Sequence, residues 1–404
     1  MEIRKIISHW GGNISSIIAP LVTLPFLIKK LGLEHYGELA LIQLISITLL
    51  PIIDFGMSIN GPKWVDAKSK EGNTNQITRV IIIFHTLIFI IAGLLTIIYI
   101  KFQNPSLIVY LILSLGSIFF TTIIPVYLII GAKLQEYYGC ITILTRVFII
   151  LGILNFVDES NGVLKFFIIQ LVINILSFLI YIYLINKGEY ELTTGDIKSD
   201  IYEIKKLISN GFQQFIRRSS FLPLNIVIPI ILNDNWGASS VAVFSIGEKI
   251  KVVIWQIINP ILSWFINRYY TLIGKDLKNK LTKEIIILLG LLSLIGCLFV
   301  YNLALQILEF LNIEPTLENI KIIQVCGLYF LSGTALAYSM TRYLPELSNN
   351  KLLTIIIFIS STLVLLSSMY ILSIKGSLYA ILLQIILEII VFMEIIFYAK
   401  KYKR

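Results

Sequence analysis

Charge is scarce in this sequence: 14% of its 404 residues are Asp, Glu, Lys or Arg, where a soluble domain carries about a quarter. Together with a hydrophobic content of 57%, that deficit excludes a cytosolic enzyme. Cysteine is scarcer still. Cys140, Cys297 and Cys326 show no CxxC spacing, which excludes a disulfide framework. The three histidines, His9, His35 and His85, lie far apart and beside no acidic or cysteine cluster, so neither a metal site nor a cofactor is expected. Long polar loops are also missing. The longest break, Asn186 to Lys206, has mixed charge, and loops large enough to house catalytic residues are absent.

What is present is a series of apolar runs of about 20 residues, each enough to cross a hydrocarbon core of roughly 30 Å. They fall at roughly 6–28, 39–61, 79–100, 107–130, 139–157, 164–185, 208–231, 241–266, 284–308, 318–340, 353–373 and 378–399. The chain is expected to be an all-α integral membrane protein with twelve transmembrane helices. The start, Met1 to Lys5 before an apolar run, imitates a signal peptide, but Pro20 and Pro25 interrupt that run and it reads as the first span. An even count places both termini on one side. With the termini in the cytoplasm, 22 Lys and Arg fall on inner segments and 6 on outer ones, the bias that the positive-inside rule requires. The net charge of +9 thus serves topology rather than nucleic-acid binding. The break over 186–207 reads as a cytoplasmic linker joining a bundle over 1–185 to one over 208–404.

Proline placement supports two halves. Pro20 and Pro25 lie in the first span and Pro51 in the second; Pro223 and Pro229 lie in the seventh and Pro260 in the eighth. Interrupted helices at corresponding positions of two halves point to a transporter's moving parts, so Pro20, Pro25, Pro223 and Pro229 are the expected hinges. The plainer alternative is that proline is common in membrane helices.

Charge inside a span costs at least about 2.5–3.5 kcal/mol on the insertion scale and persists where a partner or a wet cavity holds it. Arg146 lies roughly 10 Å into the fifth span and should face the protein interior. Arg217 and Arg218 lie in the lower part of the seventh span, and one of them should point inward; snorkelling to the headgroups is the alternative. In the eighth span Glu248 and Lys251 share a face at i,i+3 and can neutralise each other, leaving Lys249 over. Asp54 and Glu388 are the acids expected to face an arginine or to change protonation. A cavity lined by Arg146, Arg217, Arg218 and Lys249 suits a ligand bearing phosphate or carboxylate, since a guanidinium pairs such groups bidentately at any physiological pH.

The stretch Leu21–Ile42, LVTLPFLIKKLGLEHYGELALI, with Asp54–Asp66, DFGMSINGPKWVD, resembles the first two helices of bacterial O-antigen flippases of the Wzx type. Asn235–Ile250, NWGASSVAVFSIGEKI, is similar to that family's seventh-to-eighth helix junction, although Phe244 stands where the family often has tyrosine. The resemblance implies two six-helix bundles around a central cationic cavity. It implies an undecaprenyl-diphosphate-linked oligosaccharide carried from the cytoplasmic to the periplasmic leaflet of the bacterial inner membrane. H+ or Na+ as coupling ion and other polysaccharide-assembly proteins as partners belong to the same expectation. A cation-coupled multidrug exporter of the same superfamily, with an acidic cavity, is the alternative; a membrane glycan polymerase fits less well, because the loops are short and no acid–base constellation is present.

Overall fold

The computed structural model of the chain describes residues 2–72, 74–131, 134–187, 196–219, 222–343 and 351–402. All of the regular structure among the described residues is helical. The chain divides into two compact units, one of Met1–Gly32 and Glu38–Leu222, the other of Leu33–Gly37 and Pro223–Arg404.

The first unit contains most of α1 (Glu2–Asp54), then α2 (Met57–Lys70), α3 (Thr74–Gln103), α4 (Ile108–Thr122), α5 (Val126–Gly131), α6 (Gln135–Phe156), α7 (Gly162–Asn186) and α8 (Ile197–Ser219). α4 packs along α7, α7 along α6, and α8 lies on α2 and α3. At one end of the unit, Met57, Val65, Ile81, Phe84, Tyr127, Leu128, Ile204 and Leu207 form a buried cluster drawn from α2, α3, α5 and α8. A buried amide of Asn174 in α7 donates to Ser117 Oγ in α4 at 2.6 Å, so the polar groups inside this helix pair are satisfied. The outer faces of α6 and α7 expose Leu144, Phe148, Leu151, Leu176 and Leu179, an arrangement suited to hydrocarbon as the surrounding solvent.

The second unit contains α9 (Leu222–Trp236), α10 (Ala238–Thr271), α11 (Lys275–Asn302), α12 (Ala304–Phe310), α13 (Leu317–Cys326), α14 (Tyr329–Arg342), α15 (Lys351–Ile374) and α16 (Ser377–Tyr402). α10, α14 and α16 pack on one another, and α15 covers α16. The Trp236 indole N–H donates to the carbonyl of Leu372 at 2.8 Å, tying the end of α9 to α15.

Two glycines have almost the same unusual backbone. Gly32 has φ 74° and ψ 166°, and Gly237 has φ 80° and ψ 168°, a region open essentially to glycine alone because a Cβ would clash. Each interrupts the helix that carries the paired prolines: Gly32 follows Pro20 and Pro25, and Gly237 follows Pro229. The repeat suggested by proline placement therefore extends to backbone geometry.

Nine helices among the described residues are long and apolar enough to cross a membrane, against twelve expected. The difference has physical causes. One of the nine, Ile18–Asp54, is 37 residues long and contains the break at Gly32, so it covers the first two expected spans. The expected seventh span over 208–231 includes residues 220–221, which lie outside the described residues, and reaches over the end of α8, which is polar on one side, and most of the 15-residue α9. α10, which carries Glu248, Lys249 and Lys251, is not among the nine. Two further spans are interrupted rather than continuous. The expected 107–130 breaks between Thr122 and Val126 at Pro125, which has no N–H to give, and the expected 318–340 breaks at Gly327 and Leu328. Half of the expected linker is structured as well, since the helix of α8 begins at Ile197.

Candidate functional site

α10 is buried all round from Val241 to Gly247, and its next turn presents Glu248, Lys249 and Lys251 to the interior of the second unit. Lys251 Nζ lies 3.0 Å from Glu388 Oε1 on α16 and 3.8 Å from Glu248 Oε1. Ser332 Oγ on α14 donates to the other Glu388 oxygen at 2.6 Å. Glu388 is 4% exposed, so its charge depends on these two partners and not on water. The ring of Tyr329 lies 5.1 Å from Lys251 Nζ, and its hydroxyl donates to Gln384 Oε1. One ammonium thus serves two carboxylates, one on its own helix and one on α16.

Lys249 turns elsewhere. Its ammonium donates to the hydroxyl of Tyr36 and lies 4.8 Å from the centre of that ring. Tyr36 is completely buried and belongs to the segment Leu33–Gly37 that is built into the second unit. Ser245 Oγ donates to the carbonyl of Ala242 at 2.7 Å, so the Tyr36 O–H, 3.4 Å from Ser245 Oγ, is the donor of that pair. A hydrogen-bond relay therefore runs from Lys249 through Tyr36 and Ser245 to the α10 backbone.

The expectations for this region need two corrections. Glu388 faces a lysine and a serine, not an arginine. Lys249, expected to be left over, has a partner, because a tyrosine hydroxyl remote in sequence accepts a hydrogen bond from its ammonium. With Glu248, Glu388, Lys249 and Lys251 all ionised, the cluster carries no net charge, in place of the cationic surplus expected from α10.

In the first unit, Arg146 is half-buried on α6, with Nε donating to Ser16 Oγ on α1 at 3.4 Å. Tyr138 and Tyr181 are its electrostatic neighbours. Asp54 closes α1 and lies near Tyr127. The side chains of Arg217, Arg218 and Pro223 lie outside the described residues. Pro20 and Pro25 fall inside α1, Pro20 exposed and Pro25 half-buried, and Pro229 is buried inside α9.

Sequence reasoning missed two clusters. Arg342, counted among inner loop cations, is 2% exposed, with its guanidinium 3.9 Å from the centre of the Tyr269 ring and donating to that residue's hydroxyl. The second cluster holds α8 in place. Asp200 accepts both Nε and Nη2 of Arg79 in a bidentate pair. Glu203 takes the Lys68 ammonium at 2.9 Å and the Trp64 indole N–H at 3.2 Å. Burial alone would raise the Glu203 carboxyl, but the hydrogen bonds from Lys68 and Trp64 outweigh it and hold the group below the ordinary glutamate range. The hydrogen bond to Glu203 raises Lys68 in turn. An alternation of acids with Ile201, Ile204 and Leu207 was the available signal, obscured by treating the region as a linker. Among the described residues no group of three or more His, Cys, Asp or Glu is placed to hold a metal ion.

Residues 3–266 match the family described as polysaccharide biosynthesis protein. The "Putative O-antigen transporter" of Escherichia coli is 24% identical over 321 residues, which covers 76% of this chain and 75% of that protein. Among solved structures, the lipid II flippase MurJ in an inward closed conformation superposes with a TM-score of 0.63 at 17% identity, over 99% of this chain and 87% of that one. A MOP superfamily transporter from Pyrococcus furiosus gives 0.59 at 13% identity, over 100% and 96%. At such identities these structures speak for the fold, while the family match covers well over half of the sequence: the chain is a multi-helix membrane protein that belongs to the polysaccharide biosynthesis protein family.

Proposed function

We propose that this protein is a flippase that moves an undecaprenyl-diphosphate-linked oligosaccharide, an O-antigen or related surface polysaccharide unit, from the cytoplasmic to the periplasmic leaflet. The observation that carries the reading is the presence of Arg146 and Lys249 inside helices of a chain from this family. A diphosphate leaving the headgroup region loses its hydration, and moving it unpaired through hydrocarbon is prohibitive. Fixed cations replace that hydration, with Arg146, Arg217, Arg218 and Lys249 as the residues assigned to it. The relative named for O-antigen transport and the neighbour named as a lipid II flippase both support a lipid-linked glycan as cargo.

Twelve crossings in two halves of six, with both termini cytoplasmic, form part of the same proposal. The break at Gly32 supports two crossings within α1, and the matching break at Gly237 supports the counterpart in α9 and α10. The two halves correspond to 1–185 and 208–404, with 186–207 cytoplasmic. Transport proceeds by alternating access, with Pro20, Pro25, Pro223 and Pro229 as bending points. Asp54, Glu248 and Glu388 are the groups through which a proton or sodium gradient would act. The balanced charge of Glu248, Lys249, Lys251 and Glu388 favours one second reading, a cation-coupled drug exporter, over a membrane polymerase.

Two experiments decide between these readings. In a bacterium lacking its own O-antigen flippase, the wild-type chain is expected to restore surface polysaccharide. Arg146→Ala should abolish this at wild-type protein levels and Arg146→Lys retain part of it, because an ammonium keeps the charge but loses the fork. Normal polysaccharide with Arg146→Ala would remove Arg146 from the site. In proteoliposomes, translocation of a fluorescent polyprenyl-diphosphate glycan should exceed that of cationic dyes, and the opposite preference would favour the exporter. Labelling of Ser199→Cys by an impermeant thiol reagent from the periplasm of intact cells would refute the orientation.

A further inference from the structure

The helix α8 differs from its neighbours in the first unit, being too polar to count among the membrane spans yet not uniformly polar. Asp200, Glu203, Ile204, Leu207 and Gly211 form its buried side. Away from that side, Ile201, Ile208 and Phe212 are 47%, 41% and 52% exposed, and at 100° per residue they fall within about 40° of one another. Lys198 and Lys205 are exposed and border this strip within about 60° of its centre. Lys206, also exposed, lies about 140° from that centre.

The depth of α8 follows from what it touches. Asp200 pairs with Arg79, in the second turn of α3 from its start at Thr74. Further along α8, Phe215 stacks on Phe55 with ring centroids 4.3 Å apart, and Phe55 meets Phe84, more than a turn deeper in α3. The N-terminal half of α8 is thus level with the end of a membrane span, and the helix slants toward the apolar interior. A side of isoleucine and phenylalanine edged by lysines, placed at that level, matches the boundary between acyl chains and phosphates.

We propose that the Ile201–Ile208–Phe212 strip of α8 seats in the bilayer surface and that Lys198 and Lys205 bind anionic phospholipid headgroups there. The ion pairs on the buried side of α8 pass this anchorage to α2 and α3, so the lipid surface fixes one end of the first unit. The inference depends neither on the cargo nor on the direction of transport, since it concerns the leaflet that α8 meets.

The test uses the full chain with Cys140, Cys297 and Cys326 changed to Ser and Ile201→Cys carrying an environment-sensitive fluorophore, reconstituted in phosphatidylcholine bilayers. Brominated phosphatidylcholine or brominated phosphatidylglycerol is then introduced at equal mole fraction. Both lipids should quench the label, with phosphatidylglycerol preferred by roughly threefold or more from the two lysines. The double substitution Lys198→Gln with Lys205→Gln should bring the ratio to near one while quenching by phosphatidylcholine persists, and Lys206→Gln should leave the preference intact. A label at Phe212→Cys provides a second position if Ile201→Cys compromises folding. A label quenched by neither lipid at both positions would overturn the proposal in favour of water or a protein partner on this side. Equal quenching by the two lipids in the chain with its native lysines, or a preference that survives the double substitution, would overturn the headgroup assignment.

Discussion

The two units hold carboxylates against cations in opposite ways. In the first, Asp200 and Glu203 sit at the end of the α3 span, paired with Arg79 and Lys68, which keep 18% and 14% of their side chains exposed, and Lys68 also meets the exposed Glu71 at 3.0 Å. In the second, Glu248 and Glu388 share Lys251 within the body of three helices. The two clusters are about equally closed to water, since Lys251 and Glu248 in the second are 19% and 16% exposed, so what separates them is how the charges are matched. The first is suited to fastening a helix, since each buried carboxylate has a different cation. The second is sensitive to the gain or loss of one charge, since a single ammonium answers for two acids.

The sharpest way to break the comparison is to remove one partner at each place. Lys251→Met leaves Glu248 and Glu388 without their shared ammonium, and loss of one member of a buried pair costs about 3–5 kcal/mol. Thermal unfolding of the purified protein in detergent should show it as the largest destabilisation in this set, and adding Glu248→Gln and Glu388→Gln to Lys251→Met should recover a large part. The glycine pair offers a test on equal terms. Gly32→Ala and Gly237→Ala should each cost about 1–3 kcal/mol through backbone strain. Similar losses in the two would support the repeat of geometry between the halves, and a neutral effect at either would contradict it. Asp200→Asn removes the charge of a bidentate pair at the rim and should cost about 1.5–3 kcal/mol, with faster hydrogen exchange confined to α8.

The smallest expected effect is that of pH on the same fastening. The Glu203 carboxyl is held below its ordinary value in the folded protein, so its contribution is complete above about pH 4.3, the unfolded value, and is lost as pH falls through the folded one. Lys68 is raised, so its contribution is complete below about pH 10.4 and is lost only at higher pH, through its folded value. Hydrogen exchange over 197–207, corrected for intrinsic rates, should therefore show steady protection between about pH 5 and 10 and a decline below. A Glu203→Gln variant should lack the acid limb.

How far the sequence could be read depends on how far each partner lies along the chain. Glu248 and Lys251 were legible together because i,i+3 on one helix makes them neighbours. Glu388 was recognisable as a buried acid, but its partner was not, since which of several cations meets α16 is decided by tertiary packing. Tyr36 shows the same limit more strongly: its sequence neighbours suggest a loop between spans, whereas the side chain is buried against Ser245 and Lys249. Arg342 was read by its place beside a loop, and the ring of Tyr269 that covers it comes from a different helix. The helical class and most apolar spans needed no such information, because the bilayer imposes length and apolarity locally. The interruptions at Pro125 and Gly327 and the early start of α8 escaped because hydropathy does not sense backbone breaks or ion pairs.

The insertion of Leu33–Gly37 into the second unit also has a consequence in time. Tyr36 and Lys249 are 213 positions apart in the chain. At a synthesis rate of about 5–20 residues per second, roughly 10–40 s separate their emergence from the ribosome. During that interval the helices of the first unit are complete while Tyr36, its ring fully buried in the finished protein, waits for its place in α10 to be made. A nascent chain arrested near Leu222 is therefore expected to remain bound to chaperones or membrane insertion machinery through this segment, and the closing of Tyr36 onto Ser245 and Lys249 would be among the last steps of biogenesis.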